Sequence, residues 1–154
     1  MKQMLFTCAI ALACSLIACN EKETTLAGDW DNKYINIKTN SKNNTDSSET
    51  LEISGADWQT KLKANRIRTS LRPDSTWNSA HYNLNDSIVY DPSGKWWVVG
   101  DSLVFQQILP TPETNTFKFI LNGDSITFEA MLDWDLDGKK DDHYFGRQVR
   151  VKKY

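Results

Sequence analysis

Cysteine is scarce in this chain and confined to one end: the three, Cys8, Cys14 and Cys19, all fall within the first nineteen residues. The rest of the sequence has no thiol for a disulfide, a nucleophile or a metal. Histidine is rarer still, with only His81 and His143. There is no G-x-S-x-G motif, and the many serines stand in turn contexts without an evident base, so no enzyme is expected. Basic residues number 18 against 20 acidic ones and form no stripe, which argues against nucleic acid as a partner. Long apolar runs are missing too. The stretch from Met4 to Ala18 falls short of the roughly 20 residues a membrane-spanning helix needs.

That stretch has Lys2 ahead of it and a small residue, Ala18, at its end, which is the layout of an export signal. Leu16-Ile17-Ala18-Cys19 resembles the lipobox at which bacterial lipoproteins are cut and acylated. The resemblance implies that residues 1–18 are a signal peptide and that Cys19 carries a diacylglyceryl thioether plus an N-acyl chain such as palmitate. Two or more buried chains, at about 0.8 kcal/mol per CH₂, anchor a protein durably. The expected location is the outer membrane, at its periplasmic face or at the cell surface. Residues 19–27 then read as the lipidated cysteine and a polar tether, and eight extended residues reach at most about 29 Å. The Lys22-Glu23 pair loosely resembles the acidic surface-export signal of Bacteroidota lipoproteins, although acidic tethers also serve solubility.

Residues 28–154 read as one domain, long enough to bury a core without disulfides. Its pattern is β throughout. Asp29 to Thr39 carries Trp30, Tyr34, Ile35 and Ile37, Asn40 to Glu49 is a polar loop, and Thr50 to Ile53 adds a short strand. The single helix expected lies near Gly55 to Lys63, with Ser54 to Asp57 in capping-box form and Trp58 and Leu62 on one face. Beyond Ile67 a turn refrain recurs at Pro73-Asp74-Ser75, Asn85-Asp86-Ser87, Gly100-Asp101-Ser102 and Gly123-Asp124-Ser125. Asp and Ser side chains bond backbone N–H groups in such turns, and apolar-x-aromatic triplets follow three of them. The same Asp-Ser steps resemble O-glycosylation sequons of Bacteroidota proteins at Ser75, Ser87, Ser102 and Ser125, a reading compatible with turns. Counting runs between breaks gives about eight to ten antiparallel strands, so the expected fold is an all-β, up-and-down β-barrel with at most one short helix.

Two motifs point to chemistry. Asp133-Trp134-Asp135-Leu136-Asp137-Gly138 resembles the start of calcium loops of the D-x-D-x-D-G kind, in which alternate carboxylates converge and the glycine permits a sharp bend. Asp133, Asp135 and Asp137 would ligate Ca²⁺ directly, with the Lys139 carbonyl and Asp141 at the next two positions. Position twelve is Tyr144 instead of Glu, so a further ligand has to come from Asp142 or from elsewhere. The competing reading is a solvated hairpin turn built on Asp137-Gly138.

Gly28-Asp29-Trp30 at the start of the first strand resembles the G-x-W signature of lipocalins. That family closes its barrel with the Trp beneath an Arg from the last strand, which implies barrel closure by Trp30 with Arg147 or Arg150. Together with Gly94-Lys95-Trp96-Trp97, the lipobox and the Gly-Asp-Ser turns, the chain resembles lipocalin-like lipoproteins of Bacteroidota. The implied function is binding of a small apolar or amphiphilic ligand in the barrel, and the candidate lining is Trp77, Tyr82, Trp97, Phe105, Phe117, Phe119 and Phe128. The alternative is an accessory lipoprotein whose filled barrel presents an outer surface, around Trp96 or Trp97, to a cell-envelope protein partner.

Overall fold

The computed structural model describes residues 25–40, 45 and 47–154. The expected signal peptide, the expected lipidation site Cys19 and the expected tether as far as residue 24 lie outside the described residues. Ten strands follow in chain order: β1 (Gly28–Thr39), β2 (Glu49–Ser54), β3 (Ala64–Leu71), β4 (Thr76–Asn83), β5 (Ile88–Tyr90), β6 (Ser93–Val99), β7 (Ser102–Leu109), β8 (Glu113–Asn122), β9 (Ser125–Leu132) and β10 (Asp142–Lys153). Among the described residues a short helix, α1 (Asp57–Thr60), lies between β2 and β3. Eight strands, β1, β3, β4 and β6 to β10, form an antiparallel barrel that closes where β10 pairs with β1, from Gly28 opposite Lys153 to Lys38 opposite His143. The two extra strands are side pieces. β2 takes over the edge of β1 from Tyr34 onward, where β3 has left it after Asp31, and β5 pairs with the end of β4.

Local chemistry explains the turns. Asp74 accepts bonds from the Thr76 N–H at 3.0 Å and hydroxyl at 2.6 Å, and the Asn83 side chain accepts from the N–H groups of Asn85 and Ser87 at 2.9 and 3.0 Å. Each refrain therefore falls between two strands. Gly100 and Gly123 adopt φ of 63° and 58°, left-handed values that cost glycine little.

The helix departs from its expected form. It begins after Ala56, with no side-chain cap, because Gly55 is still in a left-handed turn at φ 50°. Its purpose is packing: Trp58 is buried against Ile35, Ile37 and Ile53. A larger core of Leu26, Trp30, Leu71, Trp96, Val98, Leu103 and Ile126 fills the other end of the barrel. Each such side chain removed from water contributes about 1.5–3 kcal/mol.

Strand β6 shows how one residue sets register. A Cβ on Gly94 would lie 1.9 Å from the Gln106 carbonyl oxygen, so only glycine lets β6 and β7 come this close. With Gly94 facing inward, Trp96 and Val98 follow it into the core at 1% and 3% exposure, and Trp97 must face out. Among the described residues no helix is long and apolar enough to cross a membrane.

Candidate functional site

The interior has one packed end and one hollow end. At the packed end the Trp30 indole N–H donates to the Leu26 carbonyl at 3.0 Å, and the Arg150 guanidinium lies 4.1 Å from the centroid of the Trp30 ring. The same guanidinium donates to the Ala27 and Thr25 carbonyls, both at 2.7 Å, and pairs with Asp124 at 3.2 Å. The fork thus ties the incoming chain to the last strand. Gly28 makes room for it, since a Cβ there would lie 2.4 Å from the Lys152 carbonyl oxygen and 3.0 Å from Arg150. Arg147 takes no part in closure. It is three positions from Arg150, an odd step along a strand, and so stands exposed on the outer face.

Toward the hollow end lies a cavity of about 290 Å³, near the lower limit of ordinary ligand pockets. Trp77, Phe105, Phe117 and Phe128 line it. Three other expected lining residues lie elsewhere. Tyr82 is five positions from Trp77 on β4, hence on the opposite face, where the Arg66 guanidinium covers its ring at 4.4 Å. Trp97 faces out for the register reason given above. Phe119 shares the inward face of Phe117 but lies one step closer to the packed end, where it packs against the Trp30 core.

The aromatic wall is continuous. Trp77 meets Phe105 edge-on at 4.9 Å between centroids, Phe105 meets Phe117 at 5.7 Å, and Phe117 meets Phe128 and Tyr144 at 6.1 and 5.9 Å. Trp134 ends the chain, stacked on Tyr144 at 6.4 Å with 29° between the rings. Such pairs contribute about 0.5–1.5 kcal/mol each beyond their buried area. The lining has no Asp, Glu, Lys or Arg among the described residues. Burial raises the pKa of the Tyr144 phenol well above its ordinary value, so that group is neutral too.

Polar groups are nonetheless present and partly unpaired. Asn32 Oδ1 and Gln148 Oε1 are buried in the cavity wall without a hydrogen-bond partner, while Gln148 Nε2 reaches Thr69 Oγ1 at 3.5 Å. A buried orphan acceptor costs about 1–3 kcal/mol, which a donor on a bound molecule would recover. The sequence reading missed both residues, yet strand parity marks them: Asn32 is two from Trp30 and Gln148 is two from Arg150.

His81 also faces the cavity, its ring edge-on to Tyr90 at 5.1 Å. Burial lowers its pKa, opposed in part by Asp91. Below about pH 6.5 the unfolded chain takes up this proton before the folded one, so stability is full above that pH and falls as acid is added. Thermal melts from about pH 7.5 to about pH 5 should show a shallower decline for His81→Gln than for the parent. An identical slope would remove His81 from the account.

The aspartate loop joins β9 to β10 beside the cavity. Asp133, Asp135 and Asp142 each bring a carboxylate oxygen within 4.8 Å of the others. Asp137 and Asp141 lie in the same loop but outside that group, and Lys139 directs its ammonium toward Asp137 Oδ2 at 3.8 Å. Asp142, fully buried, accepts from the N–H groups of Asn40, Trp134 and Asp135 at 2.9, 2.7 and 3.2 Å. His143 turns away from the cluster and pairs with Glu129 at 2.7 Å.

Compared with known proteins, the chain matches no family model and no curated protein. Its class is therefore that of its architecture: a closed eight-stranded antiparallel barrel, packed at one end and hollow at the other.

Proposed function

We propose that this is a lipid-anchored, lipocalin-like barrel of the outer membrane that holds a small, uncharged, mainly apolar molecule in its cavity, without catalysis. The observation that carries the reading is the cavity wall: continuous aromatic rings, no formal charge in neutral solution and two buried acceptors, Asn32 Oδ1 and Gln148 Oε1, without a donor. A charged head group would have no counter-ion there, and burying an unpaired charge costs far more than burying a hydrogen-bonded polar group. The fitting ligand is an alcohol, amide or similar neutral amphiphile. Anchoring rests on Leu16-Ile17-Ala18-Cys19 and on the reach of the tether.

Mass spectrometry of the protein purified from its membrane reads both parts at once. The covalent mass should match acylation at Cys19, and a non-covalent neutral passenger should be recovered from the parent protein. Ser79→Phe, which places a ring in the cavity, should reduce that passenger at least tenfold while the barrel still melts cooperatively. Recovery of acylated protein with no passenger from either form would end the ligand reading.

A second reading, docking to an envelope protein partner, draws on a different observation. Ile88, Val89, Ile108 and Leu109 are 50–63% exposed and belong to β5 and the end of β7, at the hollow end of the barrel.

A further inference from the structure

Five aspartates occupy ten positions between Asp133 and Asp142, and the way their oxygens are used is uneven. Asp133 Oδ2 accepts from the Gly138 N–H at 3.1 Å and Asp137 Oδ1 from the Lys139 N–H at 2.9 Å, so one oxygen of each carboxylate is fixed by backbone. The opposite oxygens, Asp133 Oδ1 and Asp137 Oδ2, are buried with no hydrogen bond, as is Asp141 Oδ1. The Asp137 side chain is only 2% exposed, and its closest cation, Lys139 Nζ, stands 3.8 Å off, beyond hydrogen-bond reach. Buried carboxylate oxygens are ordinarily satisfied. Of these three oxygens only Asp137 Oδ2 has a cation at ion-pair distance, Lys139 Nζ, whereas Asp133 Oδ1, on a member of the converging group of Asp133, Asp135 and Asp142, has neither a donor nor a positive partner among the described residues.

A hard cation supplies it. Calcium takes six to eight oxygens in flexible geometry, whereas magnesium demands a near-ideal octahedron and keeps its waters, so a loop of five carboxylates suits the larger ion. The loop also contains a cavity residue. Trp134 sits between two of the aspartates, lines the cavity and stacks on Tyr144, while Lys140 reaches from the other side of the loop to the side chain of Asn115, also in the cavity wall, at 2.8 Å.

We propose that the Asp133–Asp142 loop is a calcium site and that filling it fixes Trp134 in the cavity wall, so that calcium and the cavity ligand bind with mutual reinforcement. The cation site stands without any ligand; only the reinforcement rests on the cavity being a ligand site. Reciprocity then follows from linkage.

The test uses the purified protein, stripped with a chelator and titrated with calcium alone. Its melting temperature should rise by about 5–10 °C at calcium one hundred times the dissociation constant, with little effect of magnesium at equal concentration. Asp133→Asn and Asp135→Asn should each abolish most of that shift. Asp142 is a poor choice for this purpose because its carboxylate also holds three backbone N–H groups. An unchanged parent melting point, or a shift that survives both substitutions, overturns the site. Calcium should also change the tryptophan emission of the parent and not of Trp134→Phe. A melting shift with unaltered emission overturns the link to Trp134. Neither readout needs a ligand, so loss of the ligand reading would leave both results interpretable.

Discussion

Arg150→Ala is expected to cost about 3 kcal/mol, from two charge-assisted hydrogen bonds and a cation–π contact, and to lower the melting temperature by roughly 10 °C. One guanidinium performs three tasks. It covers the Trp30 ring at 4.1 Å, holds the carbonyls of Thr25 and Ala27, and faces Asp124. The burial that lowers its pKa is offset in part by Asp124, and the group is still a cation at every pH where the barrel would be studied. Arg150→Lys separates charge from shape: an ammonium cannot reach both carbonyls and stack at once, so lysine should recover less than half the loss. Full recovery in a thermal or urea melt would show that charge alone matters. Arg147→Ala, on the outer face, should stay within about 0.5 kcal/mol of the parent.

Asp142→Ala should be at least as damaging, about 3–5 kcal/mol, because a fully buried carboxylate that joins three segments is removed and three N–H donors lose their acceptor. Asn40 closes β1, Trp134 and Asp135 open the aspartate loop, and Asp142 begins β10. Asp142→Asn keeps the size but not the charge or the full accepting capacity, and should cost somewhat less. Measured in chelator, this loss belongs to the hydrogen bonds and not to any cation. A variant as stable as the parent would mean that the loop does not depend on this group.

Parity along strands decides how much could be read beforehand. The Asp/Ser refrain located turns because their causes are local: at Asp74 a side chain bonds backbone two residues on, and at Gly100 and Gly123 glycine takes the left-handed conformation. Gly28-Asp29-Trp30 pointed to barrel closure only through its resemblance to the lipocalin signature, and the structure places Trp30 at the packed end under Arg150 and not Arg147. Trp97 was expected in the cavity and faces out instead, because a strand that is apolar on both sides offers no alternation to tell Trp96 from Trp97; Trp96 and Val98 take the core face. Tyr82 was legible and overlooked, being an odd number of residues from Trp77. Trp134 was not legible: its place in the cavity follows from the path of an irregular loop, with Leu136 held at φ 61°.

The position of the packed end also gives the barrel a handle. Leu26 and Ala27 run into the plug formed by Trp30 and Arg150, so whatever lies N-terminal to them joins the molecule at its stopper and not at its rim. Under the proposed anchoring, a barrel attached there turns its hollow end away from the point of attachment, and the proposed ligand would be exchanged on the far side, with something that approaches from across the gap rather than from beneath.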